Sequence, residues 1–262
     1  MLLLWIYFIS MPSLTLTLLS NTHRVVCGWA LKSEPKFDIS MEETDKILEK
    51  FAKSKVTLVI LHVDLVDSTS LLMTLPVDRL NDYPGIYSRN VFNNRSIRRI
   101  CPEVYGDAIL AFFTLSIIDE IYLPCINAVN CARSVIKIIQ NGINPILDQN
   151  GYPEMSVRIG IDVGDQNAVL QYGWDIIHTV DNNKHEQIMK RPHYDIMGYT
   201  VSVVVKMTGL AKPNRFVVGQ LVYDALDEKQ KLAFKVLNVG SDIWSYVGSR
   251  TGVTYSVYSS IA

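Results

Sequence analysis

The stretch VTLVILHVDLVDSTS, residues 56–70, decides the fold. Residues 56–65 are almost continuously apolar and rich in β-branched side chains over strand length, the pattern of a central strand buried on both faces. The run ends at Asp64, and the Asp67-Ser68-Thr69 turn leads into SLLMTL, the start of a helix. A carboxylate at the mouth of a buried strand is costly unless it is solvated, paired or bound to a cation. Free N–H groups at a helix start, in turn, suit a phosphate.

Upstream, Ser40 and Glu43 have capping-box spacing and Ile47, Leu48 and Phe51 form an apolar stripe, which predicts a helix over about 41–53. Downstream, AILAFF (108–113) is a second strand entered through a Gly106-Asp107 turn. Ile126, Val129, Val135, Ile136 and Ile139 recur at helical spacing, with Gly142 as the stop. MSVRIGIDV (155–163) is a further strand, and the polar stretch 174–193 reads as a solvated loop carrying His178, His185 and His193. In YDIMGYTVSVVVKMTGLA (194–211) two readings stay open. The β-branched run favours a strand, whereas Ser202 and Lys206 share a face only in a helix. RFVVG (215–219), a helix near 221–231, LAFKVL (232–237) and a hairpin turning at Arg250-Thr251-Gly252 follow. With no internal repeat and no low-complexity linker, residues 41–262 read as one mixed α+β domain.

The chain has 262 residues, and its 25 Lys+Arg nearly cancel its 26 Asp+Glu, so no basic field points to nucleic acid. Hydrophobic residues at 48% against 19% charged exclude a disordered chain. The charge is uneven: residues 1–22 contain no Asp, Glu, Lys or Arg. MLLLWIYFISMPSLTLTLLS (1–20) is long enough to cross a bilayer, but no Lys or Arg precedes it as in a signal peptide. If it spans, Arg24, Lys32 and Lys36 leave the remainder cytoplasmic. The competing reading of residues 1–40 is a start placed too early, with Met41 as the beginning. Cys27, Cys101, Cys125 and Cys131 form no CxxC pair and read as reduced thiols of an intracellular protein.

Asp64 at the end of one strand and Asp107 in a strand-to-strand turn would face one divalent site if the two strands are neighbours. Magnesium suits such a pair, because it takes few carboxylates and completes its shell with water and phosphate oxygens.

The order of the motifs is more specific than any one of them. DLVDSTSLL (64–72), GDAILAFF (106–113), NAVNCARSV (127–135), VRIGIDVG (157–164) and YDIMGYTVSVVVKM (194–207) occur in sequence. The series resembles the class III nucleotidyl cyclases, the adenylyl/guanylyl cyclase catalytic domain, over about residues 50–225. The resemblance implies a ferredoxin-like βαββαβ core with a C-terminal β-hairpin. It also implies a head-to-tail homodimer with active sites at the interface, and conversion of ATP to 3′,5′-cyclic AMP and pyrophosphate with two Mg²⁺ or Mn²⁺ ions. On this resemblance Asp64 and Asp107 hold the metals, and the turn through Leu65, Val66, Ser68 and Thr69 holds phosphate oxygens. Asp67 replaces the family's usual Gly and adds negative charge there. Asp195 is the second base-reading position and the adenylyl type, accepting from the adenine amino group. Ser202 stands at the transition-state Asn position and Lys206 at the Arg position. The alternative is a catalytically inactive cyclase-homology domain that binds nucleotide or only dimerises.

The first base-reading position holds Glu103, the guanylyl type, which beside Asp195 sets two acceptors around one base. The surrounding NDYPGIYSRNVFNNRSIRRICPEVY (81–105) lacks both the helical and the strand period expected there. A reading frame displaced by one nucleotide over this stretch would account for both departures and would set Lys in the slot of Glu103. A divergent, Arg-rich surface insertion is the other reading.

Overall fold

The computed structural model describes residues 47–76, 103–105, 108–114, 121–180, 186–248 and 252–261. The apolar run becomes β1 (Lys55–Leu65), followed by α1 (Ser68–Thr74). After β2 (Glu103–Tyr105) and β3 (Ala108–Thr114) come α2 (Tyr122–Ile138), a π-helical turn over Ile139–Ile143 and α3 (Asn144–Gln149). β4 (Val157–Val180), β5 (Glu186–Gly198), α4 (Tyr199–Thr208) and β6 (Arg215–Gly219) follow. The short helices α5 (Gln220–Ala225) and α6 (Glu228–Lys231) and the strands β7 (Phe234–Val236) and β8 (Val257–Ser260) complete the described chain.

The strands form one sheet in the order β2-β3-β1-β4-β6-β8-β7, with β5 paired to β4. Every pairing is antiparallel except β4 with β6, which α4 connects as a crossover. β1 lies at the centre, between β3 and β4. Its odd residues Val59, Leu61 and Val63 join a core formed with α2 and α3, and its even residues Leu58 and Ile60 join a second core under α4. Both faces are dry, which is why the sequence shows no alternation here. The result is the mixed α+β, ferredoxin-like arrangement expected from the motifs.

Several elements differ from their sequence reading. Helix passes straight through Gly142, which is buried, and the chain turns instead at Gly151, in the left-handed region at φ 69°. The buried Asn144 side chain ties this end down, donating to the Met155 carbonyl and accepting from the Met155 N–H, both at 2.9 Å. The stretch 174–193 is no loop: β4 runs to Val180 and β5 starts at Glu186, making a long two-stranded ribbon. The helix expected near 221–231 is two helices, because Asp227 takes an extended conformation and caps α6 by accepting from the Gln230 N–H. The helix expected over 41–53 gives way to a turn at Lys50 and Phe51. At the C-terminus a bridge between Val247 and Thr254 brackets a turn with Gly252 at φ 65°, as the hairpin reading requires.

Residues 1–20, Met41 and most of the anomalous 81–105 stretch lie outside the described residues. Among the described residues no helix is long and apolar enough to cross a membrane. Cys125 and Cys131 are buried free thiols, each pushed up to about 12 by burial.

Candidate active site

Asp64 comes last but one on β1 and stands opposite Arg158 of β4. The two form an ion pair, with Arg158 donating to an Asp64 carboxylate oxygen at 2.6 Å. Both side chains are partly exposed, 31% for Arg158 and 24% for Asp64, so the pair meets solvent rather than standing sealed in the core. β3 begins at Ala108, one residue past Asp107, and its register with β1 ends at Val63 opposite Ile109. The two strands are therefore neighbours as the carboxylate pairing requires, while Asp107 itself lies outside the described residues.

The turn after β1 departs from an ordinary helix start. Asp67 is left-handed at φ 53°, a conformation in which glycine is the usual occupant and Asp or Asn is tolerated. No side chain caps α1. Leu65 is buried, the Val66 N–H donates to the Ser156 carbonyl at 2.8 Å, and Ser68 and Thr69 stand at the start of the helix. Val66 is thus committed to the fold through its N–H.

The helical reading of the open 194–211 stretch holds and the strand reading of its β-branched run does not: YTVSVVVKMT is α4, and only YDIMG ahead of it is strand, the end of β5. Val203, Val204, Met207, Thr200 and Thr208 are buried against the sheet, whereas Ser202 and Lys206 are exposed, one turn apart on the outer face. The Ser202 hydroxyl donates weakly back to the Gly198 carbonyl at 3.4 Å.

What lets α4 lie so close is the glycine pair of VRIGIDVG. A Cβ at Gly160 would stand 2.5 Å from Thr208 Oγ1 and 2.7 Å from the Val204 carbonyl, and a Cβ at Gly164 would collide with the Thr200 hydroxyl. His62 of β1, buried, meets Thr208 Oγ1 at 3.0 Å and ties the end of α4 to the central strand. Between the glycines lies Asp162, only 4% exposed. Burial pushes its carboxyl up to about 7, while hydrogen bonds from Tyr255 and the Val163 N–H act the other way. The Tyr255 hydroxyl donates to Asp162 at 2.7 Å and accepts from the Leu221 N–H at 3.1 Å.

Asp195 sits on β5 opposite Leu170, half-buried, and accepts from the Ile196 N–H at 2.6 Å. Its neighbours Tyr194 and Ile196 are buried in the core under α4, so alternation turns Asp195 to the other face. Glu103 opens β2 opposite Leu110. Asp64 and Glu103 thus lie on neighbouring parts of one sheet, while Ser202 and Lys206 face away from that sheet.

Sequence reasoning missed Arg158, Asp162 and Tyr255. For Arg158 the signal was present, a basic residue directly before the apolar part of β4. Nothing in the sequence links Asp162 to a tyrosine 93 residues away.

No protein-family model matches the chain. Two curated relatives are both named cytidylate cyclase. The Staphylococcus aureus protein is 26% identical over 174 residues, covering 65% of this chain and 38% of that protein. The Escherichia coli protein is 26% identical over 179 residues, covering 64% of this chain and 35% of that protein. The chain therefore spans little more than a third of the curated relatives it matches. Among solved structures, the adenylyl cyclase CyaB from P. aeruginosa superposes with a TM-score of 0.57 at 14% identity, over 80% of this chain and 95% of that one. The guanylate cyclase domain of RhGC from Catenaria anguillulae, in complex with GTP, gives 0.54 at 16% identity, over 80% and 99%. The fold is that of the class III adenylyl/guanylyl cyclase catalytic domain.

Proposed function

We propose that residues 41–262 are a nucleotidyl cyclase domain that converts a nucleoside triphosphate to its 3′,5′-cyclic monophosphate and pyrophosphate at a homodimer interface, with ATP as the substrate. The observation that carries this reading is the split of the motif residues. Asp64 lies at the sheet end paired to Arg158, while Ser202 and Lys206 point outward from α4, as they must to serve a partner's site. The ribbon supports the dimer. Trp174 and Ile176, cross-strand from Pro192 and Lys190, share one face with Ile188 and are 58%, 60% and 65% exposed for the three large apolar groups. A lone two-stranded ribbon gains stability when such a face is covered.

Asp64 is a partly exposed hard oxygen donor and fits Mg²⁺ or Mn²⁺, with Asp107 as its partner. Asp64 and Asp107 would hold such ions, which when bound would supply charge neutralisation at the triphosphate and acidify the ribose 3′-hydroxyl. Arg158 holds the Asp64 carboxylate in place and has its Nε buried without a hydrogen-bond partner among the described residues. The start of α1 at Ser68 and Thr69 offers N–H groups to phosphate oxygens. From the other subunit, Lys206 contributes positive charge to the developing transition state and Ser202 a hydroxyl donor. Asp195 accepts from an exocyclic amino group. Adenine, cytosine and guanine all present one, so this acceptor excludes only UTP; GTP ranks below ATP, and the relatives' printed name makes CTP the second candidate.

Incubating the full chain with ATP, CTP, GTP or UTP and Mn²⁺, with products separated by chromatography, tests the reading. Cyclic AMP, absent from an Asp64→Asn control, is the expected result. Cyclic CMP in its place moves the substrate within the amino-bearing bases. The inactive alternative is favoured by Ser and Lys at the Asn and Arg positions. Thermal stabilisation by ATP with no cyclic product from any triphosphate would establish it.

A further inference from the structure

On the α2 side of the sheet, opposite α4, the C-terminal half of α2 meets the start of β6 and the end of β8 around a cleft of about 460 Å³. Arg133 and Lys137 of α2 and Arg215 of β6 line it, together with Gln140, Asn214 and Ser260, and among the described residues no acidic side chain does. Lys137 and Arg215 have no ion-pair partner among the described residues. Arg133 is half-buried and, among the described residues, donates only to neutral amides, Gln230 Oε1 at 3.0 Å and Asn130 Oδ1 at 3.3 Å. Burial lowers its pKa, and no carboxylate acts to raise it. A cation drawn out of water without a counter-charge is costly, and a multiply charged anion relieves that cost at Arg133 while meeting the partly buried Arg215 and the exposed Lys137 as further positive groups.

We propose that this cleft binds a small phosphate-bearing anion, held by Arg133, Lys137 and Arg215 at a site separate from the cyclase site. Its volume is within the range of small-molecule pockets, about 300–1,000 Å³. Gln140, exposed at the mouth, adds an amide donor. The occupant is either a free inorganic phosphate or a phosphate ester carried by an organic molecule; the charge recognition is the same.

Calorimetric titration of the full chain without divalent cations tests the site, using inorganic phosphate in one arm and glycerol 3-phosphate in the other. Sodium chloride is matched for ionic strength. Saturable binding in at least one arm is expected. It should weaken about tenfold in Lys137→Gln and further in Arg133→Gln/Lys137→Gln, because each replacement removes a charged hydrogen-bond donor from the anion. Lys137 is exposed on its helix, so its replacement leaves the fold intact even if the Arg133 change perturbs the contact with Gln230. The same titration in Lys206→Gln keeps the proposal apart from the cyclase reading, because binding at the cleft persists there. Affinity unchanged by the cleft substitutions, binding lost only with Lys206→Gln, or no binding in either arm overturns the site.

Discussion

Lys206 places a single ammonium on the exposed face of α4, where a guanidinium would offer a planar fork of donors. If it stabilises charge on the triphosphate, Lys206→Ala is expected to lower kcat about a hundredfold with little change in KM. Lys206→Arg, which restores the fork, should match or exceed the parent in the same steady-state assay. Asp162 makes a prediction of a different kind. Its carboxyl is raised to about 7 in the folded chain, against about 3.9 when unfolded. Between these values the folded state alone keeps the proton, so stability is fully present below about pH 4 and is lost as pH rises through about 7. Asp162→Asn, which cannot ionise, should flatten the slope of melting temperature against pH across that window. An unchanged slope would place the titration elsewhere. Neither the burial of Asp162 nor its Tyr255 partner was legible in the sequence, since an acid in the middle of an apolar strand reads the same whether it is sealed or solvated.

At the level of elements, the glycine pair decides where α4 sits. Gly160→Val would drive a side chain into Thr208 and the Val204 carbonyl. Overpacking of this sort costs about 1–3 kcal/mol, readable as a lower urea midpoint. Activity should fall further than stability, because Ser202 and Lys206 ride on the displaced helix. β1 was the most legible element, since burial on both faces leaves an apolar run that little else produces. The β4–β5 ribbon was the least. Beyond Gly173 it pairs with no third strand among the described residues, and the adjacent Ile188 and Met189, on opposite faces, are both exposed. The signal that survived was the spacing of two between Trp174 and Ile176. If this face joins two copies as proposed, replacing both with Ser is expected to shift the chain from dimer toward monomer in sedimentation velocity and to reduce cyclase activity in parallel.

For the whole molecule, the sequence carried the fold and the positions of the motifs, but not the fact that one sheet holds Asp64 while the outward face of α4 holds Ser202 and Lys206. A motif series has no direction in space, and only the packing of α4's buried face on β1 and β4 turns the other face away. That separation has a consequence that a site formed within one chain would not share. If each site takes Asp64 from one copy and Lys206 from the other, Asp64→Asn and Lys206→Ala chains are each inactive as homodimers. Mixed together and allowed to exchange, half of the dimers become hybrids. In each hybrid one site carries both defects and the other carries none. Activity should then recover to about one quarter of the parent value, the limit set by a two-fold head-to-tail pair. Recovery near that value, dependent on protein concentration, locates the site between copies, whereas a mixture no more active than its separate components places it within one.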